Sequence, residues 1–506
     1  MVVSLRFDLR QGTHFANFLY LNNPLTDTTR DARFLVRLPA KPRIRAAGGG
    51  GGRVSDKPSF CTADELHYVP VPNSHWRLAL WRYRPSSPQG IKRNHPLLLL
   101  SGVGTNAIGY DLAPGSSFAR YMSHQGFDTW ILEFRGAGLS VEDESLANIN
   151  SNAIVHSKIL MAGGQKSEAL NRSDVLQLRE KLKDTSMHIS EGLSNLLNEG
   201  LVQARLNSAI ASQIKDWSQK LANIIAEGQR SIGLQERFSI PLDDFQKQFD
   251  LIHKYDWDFD HYLEEDVPAA MEYVRTYCKP KDNKLLAIGH SMGGILLYAI
   301  LSRNGYKRRD SELASVVTLG SSLDYTTSRS SLKLLLPLVD PAQALSVPVI
   351  PLGALMAAVY PFASRPPYLL SWINTQISAQ NMMHPKMLEK LVLKNFCTIP
   401  AKLLLQLTTA FLEGGLCDRS KTFFYKDHLH KNKVPILALA GDQDLICPPE
   451  AVYETVKLIP GEFVKFKVFG EPTGPHYAHY DLVGGRLASD QVYPCIVEYI
   501  EHHDLT

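Results

Sequence analysis

An α/β fold built on a mostly parallel, doubly wound central sheet is what the sequence predicts, and three observations predict it. Short, wholly apolar runs such as Leu97-Leu98-Leu99-Leu100 lack the polar alternation of a half-exposed strand, as expected of parallel strands buried on both faces. Such runs alternate with segments of helical pattern, the order of a βαβ chain. The third observation is Gly289-His290-Ser291-Met292-Gly293, which joins the apolar Leu285-Leu286-Ala287-Ile288 to the helix-like Gly294-Ile295-Leu296-Leu297-Tyr298-Ala299. Strand, sharp turn and helix, with a serine at the apex between glycines, form a strained elbow. A Cβ at position 289 or 293 is expected to collide with the neighbouring strand or helix.

The 506 residues suffice for one large domain with insertions, or for two domains. Hydrophobic residues at 44% and charged residues at 21% fit a soluble globular protein. A net charge of +3, without a dense Lys/Arg tract in the body of the chain, gives no ground for nucleic acid as a partner. Six scattered cysteines, with no CxxC and no Cys/His cluster, argue against a zinc site or a disulfide framework and suit a reducing compartment.

Residues 1–63 read as an N-terminal extension. The first 55 residues hold nine Arg/Lys against three Asp, and Gly48 to Gly52 form an unbroken flexible run. Arg-rich, acid-poor composition suits a transit peptide, and Ile44-Arg45-Ala46-Ala47 resembles the cleavage context of plastid targeting peptides. Chloroplast import is the expectation, with a disordered tail on a cytoplasmic protein as the alternative. No uninterrupted apolar stretch opens the chain, which speaks against a secretory signal.

The first part of the core is expected over 64–140. Residues 66–71 and 76–83 alternate apolar and polar side chains across Pro72-Asn73-Ser74, the pattern of a β-hairpin. A strand at 96–100, a helix at 117–125 and a strand at 129–134 follow. Residues 141–254 then form an insertion. Within it, 173–228 carries apolar residues at three- and four-residue steps, too long for one globular helix, so a helical hairpin or bundle is expected.

Sheet pattern resumes at 255–259, then a helix at 264–277, the elbow strand 284–289 and its helix, and a strand at 314–319, completing a core segment 255–326. Residues 327–430 form a second insertion. Its stretch Pro341 to Ser364 has no charge, which raises the question of a membrane span, but Pro348, Pro351 and Pro361 would break such a helix. An apolar cap over a pocket is the better reading. The core closes over 431–506 with strands at 435–440 and 463–469 and a helix at 490–502.

A serine hydroxyl is a weak nucleophile that needs a base within reach and a third group to orient that base. Two loops offer them behind the last strands: Gly441-Asp442-Gln443-Asp444 and Gly474-Pro475-His476-Tyr477-Ala478-His479-Tyr480-Asp481-Leu482. The elbow, these loops, the stretch from Tyr255 to Ala269 and the turn Arg135-Gly136-Ala137-Gly138-Leu139-Ser140 together resemble the α/β-hydrolase superfamily, in particular its acid-lipase-like esterase and lipase branch. The resemblance covers 64–140, 255–325 and 434–503.

It implies an α/β-hydrolase fold, a catalytic triad of Ser291, Asp444 and His479, and no metal or organic cofactor. Asp444 is favoured over Asp442 as the acid, and His479 over His476 as the base. An oxyanion hole from the backbone N–H groups of Val103 and Met292 is implied as well. Ser101-Gly102 departs from the His-Gly usual in that branch, which leaves the substrate class open. The expected partner is a hydrophobic ester or lipid, with peripheral membrane contact through the cap. The alternatives are an acyltransferase or thioesterase on the same core, and a non-catalytic ligand receptor. His261-Tyr262-Leu263-Glu264-Glu265-Asp266 matches an H-x4-D acyltransferase pattern, but it reads better as the charged start of a helix.

Overall fold

The computed structural model describes residues 61–87, 90–142, 255–333, 349–350, 352–364 and 371–504. Most of the expected N-terminal extension (1–60), the expected helical hairpin at 173–228, and stretches 334–348 and 365–370 of the second insertion lie outside the described residues.

The strands are β1 (Glu65–Pro70), β2 (Trp76–Tyr83), β3 (Leu97–Leu100), β4 (Thr129–Glu133), β5 (Val141–Glu142), β6 (Leu285–His290), β7 (Leu313–Leu319), β8 (Val349–Ile350), β9 (Ile399–Pro400), β10 (Ile436–Gly441) and β11 (Val464–Phe469). The α-helices, apart from the single turn Phe259–His261, are α1 (Phe118–His124), α2 (Val267–Cys278), α3 (Met292–Lys307), α4 (Leu352–Ser364), α5 (Ser371–Ile377), α6 (Pro385–Lys394), α7 (Ala401–Thr408), α8 (Pro449–Val456), α9 (Asp481–Gly484) and α10 (Tyr493–His502) among the described residues. In the main sheet the order is β1-β2-β4-β3-β6-β7-β10-β11, with β5 beside β2. The pairs from β4 to β11 are parallel, and only β1, β2 and β5 run antiparallel to their neighbours.

The apolar runs are explained by burial on both sides. Leu98 and Leu100 of β3 enter one core layer, with α2 and α3; Leu97 and Leu99 enter the other, with α1 and α10. All four are fully shielded from solvent, each adding roughly 1.5–3 kcal/mol relative to exposure. A strand with such demands on both faces has no room for alternation.

One expected element is corrected. Residues 255–259 are not a strand. Asp258 instead caps the helical turn Phe259–His261: its carboxylate accepts the His261 N–H, and the His261 ring accepts the Asp258 N–H. That reciprocal cap starts a continuous helical run through Tyr262–Asp266 into α2. The aromatic residues that suggested a strand are anchors. Trp257 packs edge-on against Trp76, ring centroids 5.2 Å apart, and Tyr255 stacks on Trp257 at 5.0 Å. Glu142 of β5 also pairs with Trp76, so the chain leaves for 143–254 and returns from it at the same tryptophan.

Helices α4 to α7, with β8 and β9 as a two-residue antiparallel pair, lie in the second insertion and are called the cap below. Helix α4 carries no charged residue. At thirteen residues it spans about 20 Å, short of the ~30 Å hydrocarbon core. Among the described residues no helix is long and apolar enough to cross a membrane.

Candidate active site

Ser291 sits between β6 and α3 with φ 55° and ψ −122°. For a residue with a Cβ this conformation costs about 1–3 kcal/mol, and it persists only where the surroundings impose it. A Cβ on Gly289 would lie 2.3 Å from the Gly293 carbonyl carbon, and one on Gly293 would lie 2.1 Å from the Leu100 oxygen. The glycines let helix, elbow and β3 touch. The Ser291 N–H donates to Leu319 O at 2.9 Å, and the Ser321 hydroxyl donates to Ser291 O at 2.8 Å. Among the described residues the Ser291 hydroxyl itself has no hydrogen-bond partner.

Asp444 follows β10 and is 1% exposed. Its Oδ1 accepts the N–H groups of Ile446 and Cys447 at 2.9 and 2.8 Å, which offsets the cost of burying the carboxylate. Its Oδ2 receives His479 Nδ1 at 2.7 Å. A carboxylate oxygen only accepts, so Nδ1 carries the proton of that bond, and Nε2 is the ring nitrogen left pointing away from Asp444. Gly320, φ +54°, directly follows β7 and lies between the two: a Cβ there would come 2.9 Å from Asp444 Oδ2 and 3.1 Å from His479 Nδ1. Residues 319–321 thus touch all three elements. Among the described residues no hydrogen bond joins the Ser291 hydroxyl to His479.

The competing pair is also formed. His476 Nδ1 meets Asp442 Oδ2 at 2.5 Å, with side chains 37% and 25% exposed. The two carboxylate–imidazole pairs run in parallel, one wet and one dry. His261 and Asp266 are not brought together: His261 serves the cap described above, while Asp266 is buried against the Arg135 guanidinium at 2.6 Å.

The loop after β3 lies against the elbow. A Cβ on Gly102 would stand 3.3 Å from Ser291 Cβ. Among the described residues neither the Val103 nor the Met292 N–H has an acceptor within the protein. The fully buried Glu133 holds this loop from behind, accepting the N–H of Ala107 at 2.9 Å and of Leu139 at 2.7 Å. Burial pushes its carboxyl up from the usual range. From the cap, Cys397 N–H donates to Gly104 O at 2.7 Å, and Gly104 faces the side chains of Ile399 and Leu352.

Two residues were named in the sequence motifs without a role. His290 is buried and its Nε2 bonds the His479 carbonyl at 3.0 Å. Burial, and then the nearby His479, hold its pKa well below the histidine range, so its ring stays neutral. Asp481 accepts the Ser378 hydroxyl, Ala379 N–H and Ala478 N–H at 2.6, 2.6 and 2.8 Å, tying the cap to the histidine loop. A third, Asn395, carries no local signal, because its partners lie more than eighty residues away in the chain.

Sheet order, elbow and loop placement define the α/β-hydrolase fold. A family model described as the alpha/beta hydrolase fold matches residues 250–481, a stretch that includes Ser291, Asp444 and His479. No curated protein sequence matches the chain. Similar solved structures include a thermophilic esterase from Thermogutta terrifontis, 12% identical, covering 87% of this chain and 99% of its own, with a TM-score of 0.42. A soluble variant of monoglyceride lipase from Saccharomyces cerevisiae is also 12% identical, covers 88% and 97%, and gives 0.44. Proline iminopeptidase from Mycobacterium smegmatis, 12% identical, covers 87% and 98% and gives 0.38.

Proposed function

We propose that this protein is a serine hydrolase that cleaves a carboxylic ester with a hydrophobic acyl group. The observation that carries the reading is the dry Asp444–His479 pair set beside a strained serine elbow. In this mechanism Ser291 Oγ attacks the ester carbonyl while His479 Nε2 takes its proton. The Val103 and Met292 N–H groups stabilise the tetrahedral oxyanion; in serine hydrolases one such donor lowers the barrier by about 3–4 kcal/mol. His479 then protonates the leaving alcohol, and water, activated by the same ring, releases the acyl group. Asp444 holds the ring in the tautomer this requires.

The preference for a greasy acyl chain is supported by the cap. Leu352 and Ile399 border the loop that bears Val103, and α4 is without charge. Trp372 on α5 and Leu445 in the acid loop are both exposed, and Ser331 joins the two elements, its hydroxyl bonding Gln376 of α5 and its N–H bonding Leu445 O. That apolar rim is the edge proposed to meet a lipid surface; flotation with phosphatidylcholine vesicles, reduced in Trp372→Ala, tests it. Plastid import through residues 1–63 belongs to the same reading and is tested by the destination of a fluorescent fusion.

The test of the reaction is labelling by a fluorophosphonate probe. Wild type should label stoichiometrically and Ser291→Ala not at all. A folded wild type that stays unlabelled overturns the reading and favours a receptor.

A further inference from the structure

Asn395 ends α6 in the cap and is fully buried. Three of its polar atoms reach out of the cap. Its main-chain oxygen accepts the Asn106 N–H at 3.1 Å, and its Oδ1 accepts the Gly109 N–H at 3.0 Å. Both donors lie on the loop after β3, a few residues beyond Val103. Its Nδ2 donates to the Tyr480 hydroxyl at 3.2 Å. Tyr480 directly follows His479, and its own N–H is held by Ile377 O at the end of α5, at 2.8 Å. Asn106 returns a bond to the cap through Nδ2 and Lys394 O at 2.8 Å. One amide side chain therefore spans the two loops that must stay in register, the loop bearing the oxyanion donor and the loop bearing the base.

Resting on the hydrolase reading, we infer that Asn395 is a positioning residue: from within the cap it sets the oxyanion loop against the histidine loop. The cap then belongs to the catalytic frame for every ester, including esters too small to touch it. The bland reading of Asn395 is a helix end that satisfies its own polar atoms, worth stability and nothing else. The two readings part on turnover of a small, water-soluble ester.

The experiment uses the full chain and compares wild type, Asn395→Ala, Tyr480→Phe and the double variant. For each, kcat and KM on 4-nitrophenyl acetate, the rate constant of fluorophosphonate labelling, and Tm are measured. Asn395→Ala should lower kcat and the labelling rate roughly 10- to 100-fold, as loss of orientation does, with KM within about twofold. Tyr480→Phe should cost roughly 3- to 10-fold. The double variant should be slower than Asn395→Ala by less than the cost of Tyr480→Phe alone, because the two substitutions share the Asn395–Tyr480 link while Tyr480 also bonds Thr105.

If wild type labels and turns over while Asn395→Ala keeps both rates within about threefold and only Tm falls, the inference is overturned and the hydrolase reading stands. If wild type itself does not label, the hydrolase reading falls and takes the inference with it. Should Asn395→Ala fail to fold, Tyr480→Phe decides: kcat within about twofold of wild type overturns the inference.

Discussion

Asp442–His476 and Asp444–His479 are the same chemistry offset by two and three positions in the same two loops, and what separates them is water. The exposed pair is solvated and screened, whereas the buried pair holds one tautomer and one orientation. Asp444→Asn should therefore reduce kcat by about 10⁴, as loss of the orienting carboxylate does in other triads. Asp442→Asn should change it less than about threefold; equal losses in the two variants would sink the assignment. Gly320→Ala is a second check at this scale. Its Cβ would press on Asp444 and His479 in a left-handed backbone conformation, so kcat should fall at least about tenfold while the far-ultraviolet circular dichroism is retained. The motif spacing made both acids and both histidines legible, but burial is a property of the assembled loops and could not be read from the residues.

Among the elements, the strands that were easiest to read are those whose environment is uniform. β3, β6 and β10 lie in the middle of the sheet with both faces covered, and their sequences say so. The segment 255–259 misleads because aromatic residues suit a strand and a buried anchor equally, and only the Asp258–His261 reciprocal cap distinguishes them. Asp258→Ala should lower unfolding free energy by about 1 kcal/mol in urea titrations. Its second partner, Arg419, is largely solvated and adds little. The two-residue strands β8 and β9 fall below any detectable period. The absence of charge in α4 was legible; its placement beside the loop after β3 was not, since that rests on contacts such as Gly104 with Leu352.

Across the whole molecule the cap and the core are joined at buried polar groups, and one of these titrates. Burial, reinforced by the charge of Asp444, pushes Asp481 up to about 6 against three hydrogen bonds that favour its ionised form. A carboxyl with a raised native pKa binds its proton more tightly when folded. Its contribution to stability is thus fully present below about pH 4 and is lost as pH climbs through about 6. Unfolding free energies measured from pH 4 to 7 should show wild type losing up to about 1.4 kcal/mol per pH unit relative to Asp481→Asn in that window; parallel profiles would remove Asp481 as the source. Long-range ties of this kind, with Ser378 and Asp481 a hundred positions apart, leave no trace in local pattern. The shared anchor at Trp76 has a consequence of its own for the 143–254 segment. Because exit and re-entry converge there, the core does not need that stretch to bridge a gap. A splice of roughly ten residues from Glu142 to Tyr255 is long enough to join the two ends, so the shortened protein should keep the far-ultraviolet circular dichroism of a folded core and label as fast as the parent.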